Sequence, residues 1–158
     1  MRALTLWPEW AWAIAHLGKD VENRIWAPPS WLIGQTLAIH AGKNVGGKPG
    51  CKSYHLGTTL VRETAISAGL DPSPLAEWVN KLHRELCNAT SAVVAVARVE
   101  AECERCEPSR WSVEGQRHWR LHDVVALREP VRCRGAQGLW VLPADIETNV
   151  REQLARRG

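Results

Sequence analysis

Eight consecutive residues, Lys19-Asp20-Val21-Glu22-Asn23-Arg24-Ile25-Trp26, bring two cations, two carboxylates, an amide and an indole together. A lysine and a guanidinium at this spacing can hold a phosphate or polarise a carbonyl. A carboxylate between them can accept from an exocyclic amine or activate water. An indole beside them offers a stacking face. In an extended segment Glu22, Arg24 and Trp26 point one way, and Asn23 and Ile25 the other. The bland alternative is a structural ion pair between Glu22 and Arg24, since such pairs also perturb their surroundings. A lysine that attacks needs a depressed pKa. Desolvation by tryptophan and the nearby Arg24 would lower that of Lys19, while Glu22 and a preceding helix C-terminus would raise it. With these effects opposed, a protonated Lys19 that binds is the expectation. The reading requires the three charged groups to converge on a hollow that water can reach.

The flanking pattern supplies the elements that would position this cluster. Residues 2–6 read as a short strand. Trp7-Pro8 opens a helix whose apolar stripe is Trp10, Ala13, Ile14 and Leu17, with Gly18 as its stop. The chain becomes extended from Val21 until Pro28-Pro29. Gln35 to Ala41 is a second strand, with Leu37, Ile39 and Ala41 on one face and Thr36, Ala38 and His40 on the other. Gly42 to Gly57 is a loop bearing Lys43, Lys48 and Lys52. Helices are expected over about 59–68 and from Ser73-Pro74 onward, the latter with Leu75, Trp78, Val79, Leu82 and Leu86 as its apolar face. Ala92 to Glu102 has an apolar start and predicts a central strand covered on both sides. Its polar end puts Arg98, Glu100 and Glu102 on one face. Arg117–Leu127, Val131–Arg134 and Gly138–Leu142 read as further strands, and a helix begins near Pro143. This order predicts an α+β fold, a small mixed sheet curled into a barrel with helices outside.

The totals suit one domain over residues 1–158, with 45% hydrophobic and 23% charged residues. There is no Phe and there are nine Trp. Most of those indoles belong in the core, and an excess of exposed ones would mark a stacking surface. A net charge of +3 permits a basic patch without demanding nucleic acid. Five Cys is an odd count. With Met1-Arg2 running straight into a strand, it predicts free thiols in the cytoplasm. No apolar run is long enough to span a bilayer.

Other segments carry weaker signals. Gly42 to Lys48 nearly spells a phosphate loop, but Pro49 stands where a magnesium-binding hydroxyl is needed. Cys103-Glu-Arg-Cys106 lacks a second ligand pair at zinc spacing, so no metal and no cofactor are expected. Arg110-Trp111 and Arg117-His118-Trp119-Arg120 interleave cations with indoles, which suits backbone contact plus base stacking. A solvated hairpin with core-facing tryptophans gives the same pattern.

The run Leu4-Thr-Leu-Trp-Pro-Glu-Trp10-Ala11, then Lys19 to Trp26, then Gly34 to Lys43 with its Ile39-His40-Ala41, resembles the ASCH domain, the activating signal cointegrator homology family. The mark of that family is GxKxxExR followed by an "IHA-K" strand. Trp119-Arg-Leu and Arg134-Gly135-Ala-Gln-Gly138-Leu-Trp140 resemble its closing strands. Two positions depart from the pattern: Leu17 stands at the motif glycine, and Ile33 at a basic position. The resemblance implies a PUA-like barrel and an RNA or nucleoside/nucleotide ligand in a cleft lined by the KxxExR residues. Trp10, Lys19, Glu22, Asn23, Arg24, Trp26, His40, Lys43 and Trp111 are the expected ligand-binding residues. Some relatives are ribonucleases. Smaller ones hydrolyse acetylcytidine, using a threonine where Glu22 stands. A hydrolase reading of this chain would take Lys19, Glu22 and Glu100 as the catalytic candidates. A protein-binding scaffold is a third reading.

Overall fold

The computed structural model of the chain describes residues 1–43, 89–101 and 109–156. Within them the elements run β1 (Arg2–Leu6), α1 (Pro8–His16), β2 (Val21–Arg24), β3 (Thr36–Ala41), β4 (Ala92–Glu100), β5 (Arg117–Arg132), β6 (Leu139–Val141) and α2 (Ala144–Ala155). A single 3-10 turn, Ser30–Leu32, lies between β2 and β3. The expected loop beyond Lys43, both expected helices between residues 59 and 86, the Cys103–Cys106 pair and Glu102 lie outside the described residues.

One mixed sheet runs in the order β2-β5-β4-β3-β1-β6. β1 is parallel to β3, and the other neighbours are antiparallel. The α+β class follows the sequence pattern, and the sheet curls as a half-barrel. Alternation sends side chains to two separate cores. On one face Leu4, Leu37, Ile39, Val99, Trp119 and Leu121 pack with Ala11 and Ile14 of α1. On the other Ala3, Ala38, Val93, Val96, Leu127 and Val131 pack with Val150 of α2. β4 is buried from Ala92 to Ala97, as its apolar start predicts for a strand covered on both sides.

Two local features aim the polar cluster. Pro8 occupies the first turn of α1, where its missing N–H costs no helical bond. At the other end the amides of Leu17 and Lys19 both donate to the Ala13 carbonyl, at 2.9 and 3.1 Å. Gly18 takes a φ of +65°, a left-handed conformation that strains every other residue type, Asn and Asp least. The chain therefore reverses at the expected glycine, and Lys19 turns back under α1.

β5 corrects an expectation. The two strands foreseen at 117–127 and 131–134 are one strand, Arg117–Arg132. Its Pro130 is tolerated because the ladder is broken there: β4 advances two residues from Val93 to Ala95 while β5 advances five, from Val131 to Ala126. A second irregularity falls at Asp123, whose φ is +49°. Such bulges bend a strand and add twist, which lets β5 pair with β2 at one end and β4 along its length.

Candidate functional site

Lys19 lies 2% exposed beneath α1. Its ammonium donates to the Val21 carbonyl, and to Glu22 Oε2 at 3.1 Å. The Trp10 ring lies 5.7 Å from Nζ and covers it. Burial lowers the pKa of Lys19 from its ordinary value, and the charge and hydrogen bond of Glu22 oppose that shift. Glu22 is itself only 7% exposed. Its other oxygen, Oε1, lies 3.1 Å from Arg24 Nε. The Nε–H is not aligned on that oxygen, so the contact is coulombic rather than a directed hydrogen bond. Arg24 is half-buried and is the member of the chain that water reaches.

The result is a relay, Lys19–Glu22–Arg24, closed at the lysine and open at the arginine. Trp26 sits beside the open end, 36% exposed. Its ring meets the edge of buried Trp119 at 4.5 Å, and its carbonyl accepts the Trp119 indole N–H at 2.9 Å. Trp119 is the register partner of Glu22, so both face the same side of the sheet. Arg24 pairs in register with Arg117 of β5. The interleaved stretch containing Arg117 was visible in the sequence. Its register opposite Arg24 was not.

The remaining expected residues are not brought together. Asn23 faces away and clamps the segment after residue 109: its Nδ2 donates to the Trp111 carbonyl at 2.8 Å, and its Oδ1 accepts from the Val113 amide at 3.0 Å. Trp111 is 3% exposed, packed with Ala13 and Val21 and meeting Trp10 edge-on at 6.4 Å. It is core, not a stacking face.

His40 is also core, with Ala38 on the face opposite Ile39. Its Nε2 donates to the Cys133 carbonyl at 3.1 Å, and its Nδ1 faces Thr5 Oγ1 at 3.2 Å. Lys43 is exposed beyond the end of β3. Glu100 belongs to the sheet face away from Glu22, because it pairs in register with Arg120 and Val99 with Leu121. There its Oε2 lies 2.9 Å from His122 Nε2. Glu9, buried in the first turn of α1, escaped notice in the sequence; a carboxylate there is favoured by the positive end of the helix.

Fold and site together define a small α+β protein with a charge relay opening at an arginine–tryptophan edge. No family model matches the chain, and no curated protein does. Among solved structures it is similar to ASCH from Zymomonas mobilis, at 16% identity and a TM-score of 0.49, covering 96% of this chain and 93% of that one. It is similar to the same degree to a tyrosine-to-phenylalanine mutant of that protein, with 96% of each chain covered.

Proposed function

We propose that the chain is a binding module for single-stranded RNA or a nucleotide, engaged at the β2–β5 edge. Arg24 and Arg117 meet phosphate, and Trp26 stacks on a base. Glu22 holds Arg24, and Lys19 is a positioning residue that holds Glu22. The observation that carries this reading is the buried relay that meets water at Arg24, with Arg117 opposite it in register and exposed Trp26 two residues on. Hydrolysis of an acylated cytidine or an RNA phosphodiester fits the same cluster less well. Lys19 is sealed beneath Trp10, and Glu22 already serves two cations, so neither is poised to meet a substrate atom.

Anisotropy of a labelled mixed-sequence single-stranded RNA at low salt tests the proposal. Wild type binds, and Arg24→Ala and Trp26→Ala each weaken binding by about tenfold, the scale of one stacked base or one charge-assisted contact. Equal binding by both variants, or none by wild type, defeats it. Acetate release from acetylcytidine that disappears in Lys19→Ala would put the hydrolase first.

A further inference from the structure

A cleft of about 550 Å³ lies where the start of β1, the 3-10 turn and α2 meet. It belongs to the β1–β6 side of the sheet, whereas Arg24 lies on β2, at the other end of the strand order. Among the described residues its lining contains two arginines, Arg2 and Arg151, and no carboxylate. Trp31 stands in it 53% exposed and Val141 59% exposed. Buried Leu32 contributes an apolar wall.

The Arg2 guanidinium lies 5.1 Å from the Trp31 ring centre. A guanidinium held over a ring keeps its N–H fork free for a bidentate anion. Arg2 has no ion-pair partner among the described residues. Arg151 donates to Glu147 Oε1 through two nitrogens, at 2.6 and 2.9 Å, so its charge is shared and Arg2 is the stronger anchor. Gln35 and Thr36, both with exposed side chains, add an amide and a hydroxyl to the rim.

We propose that this cleft is a second ligand site, which takes a small organic phosphate carrying a planar ring, with the ring against Trp31 and the phosphate on Arg2 and Arg151. The volume falls in the range of small-molecule sites, roughly 300–1,000 Å³. A nucleoside 5′-monophosphate has this chemistry. The site is independent of the β2–β5 edge and stands whether or not that edge binds RNA.

Calorimetric titration with adenosine 5′-monophosphate, paired with NMR of the Trp31 indole N–H, tests it. The nucleotide binds and moves that resonance. Arg2→Gln weakens the binding that moves this resonance by about tenfold or more, and Trp31→Leu removes the corresponding heat. Adenosine and inorganic phosphate, tried separately, each bind about tenfold or more weakly than the nucleotide. Arg2→Lys, which keeps the charge and removes the fork, falls between wild type and Arg2→Gln. The proposal is overturned if the nucleotide gives neither heat nor a Trp31 shift, if Trp31→Leu binds as wild type does, or if inorganic phosphate binds as tightly as the nucleotide. A Trp31 shift that saturates at the same nucleotide concentration in Arg2→Gln as in wild type would also overturn it.

Discussion

Lys19 and Glu22 show how burial sets the worth of a charge. The exposed pair of Arg156 and Glu152, 3.7 Å apart, contributes about 0–1 kcal/mol at most. Lys19 and Glu22 are almost dry, so removing one leaves the other uncompensated, at a cost of about 3–5 kcal/mol. Glu22→Gln is therefore expected to lower the unfolding free energy by about 3 kcal/mol in urea titrations, since it strands Lys19 and frees Arg24 together. Lys19→Met costs less, because Arg24 still faces Glu22. The double variant costs less than the two single losses added, as coupled neighbours do. Simple additivity would show that the relay is not a coupled unit.

His40 is the second residue whose protonation matters. Trp140 Nε1–H donates to Thr5 Oγ1 at 3.1 Å, the Thr5 hydroxyl faces His40 Nδ1, and His40 Nε2–H donates to the Cys133 carbonyl. This arrangement suits a neutral ring with its proton on Nε2. Burial lowers the pKa of His40, with the Cys133 contact opposing. The unfolded chain, with an ordinary value of about 6.5, then takes up the proton first as pH falls. Stability is full above about pH 6.5 and is lost as pH falls from there through the folded value. Urea midpoints across that window should drop for wild type and drop less for His40→Gln. Parallel pH profiles would refute a neutral, pinned His40.

Elements differ in how much of themselves the sequence displays. The apolar stripe and proline of α1, the glycine that ends it, and the continuous apolar start of β4 are local patterns, and each formed where the pattern lies. β5 was read as two strands because Pro130 breaks a local pattern, while the pairing that bridges the break is supplied by β4, far away in sequence. Glu100 was a catalytic candidate alongside Lys19 and Glu22, and its place shows a related dependence. Alternation within β4 is legible, but which of its faces meets β2 depends on register across β5. The β5–β6 connection shows the same dependence at Gly135. A Cβ there would lie 2.4 Å from His40 Cε1 and 2.8 Å from Thr5 Oγ1. Both atoms are held by hydrogen bonds and cannot give way cheaply. Gly135→Ala is expected to cost about 1–3 kcal/mol, as overpacking does, and to flatten the pH response of His40. A thermal melt unchanged from wild type would mean that the connection swings clear of the ring.

At the scale of the molecule, the spacing Lys19–Glu22–Arg24 predicted a mutual contact but not its depth. Depth comes from α1 closing over the sheet, which buries the lysine and leaves the arginine at the rim. Net charge is equally uninformative about place: +3 is spread over the whole chain, while the proposed RNA edge concentrates Arg24 and Arg117 on one strand pair. Salt dependence separates the two. Two phosphate contacts to a single strand release counterions with a slope of log affinity on log salt of about −1.4, at about 0.7 per contact. Attraction by the molecule's overall charge would fade with salt regardless of any one side chain. RNA titrations over a salt series should give the shallow slope for wild type, a slope smaller by about 0.7 for Arg24→Ala, and no change for Arg2→Gln at the other edge. A slope that Arg24→Ala does not alter would mean that RNA is held by diffuse charge, and the relay would then be a structural device that fastens α1 to β2.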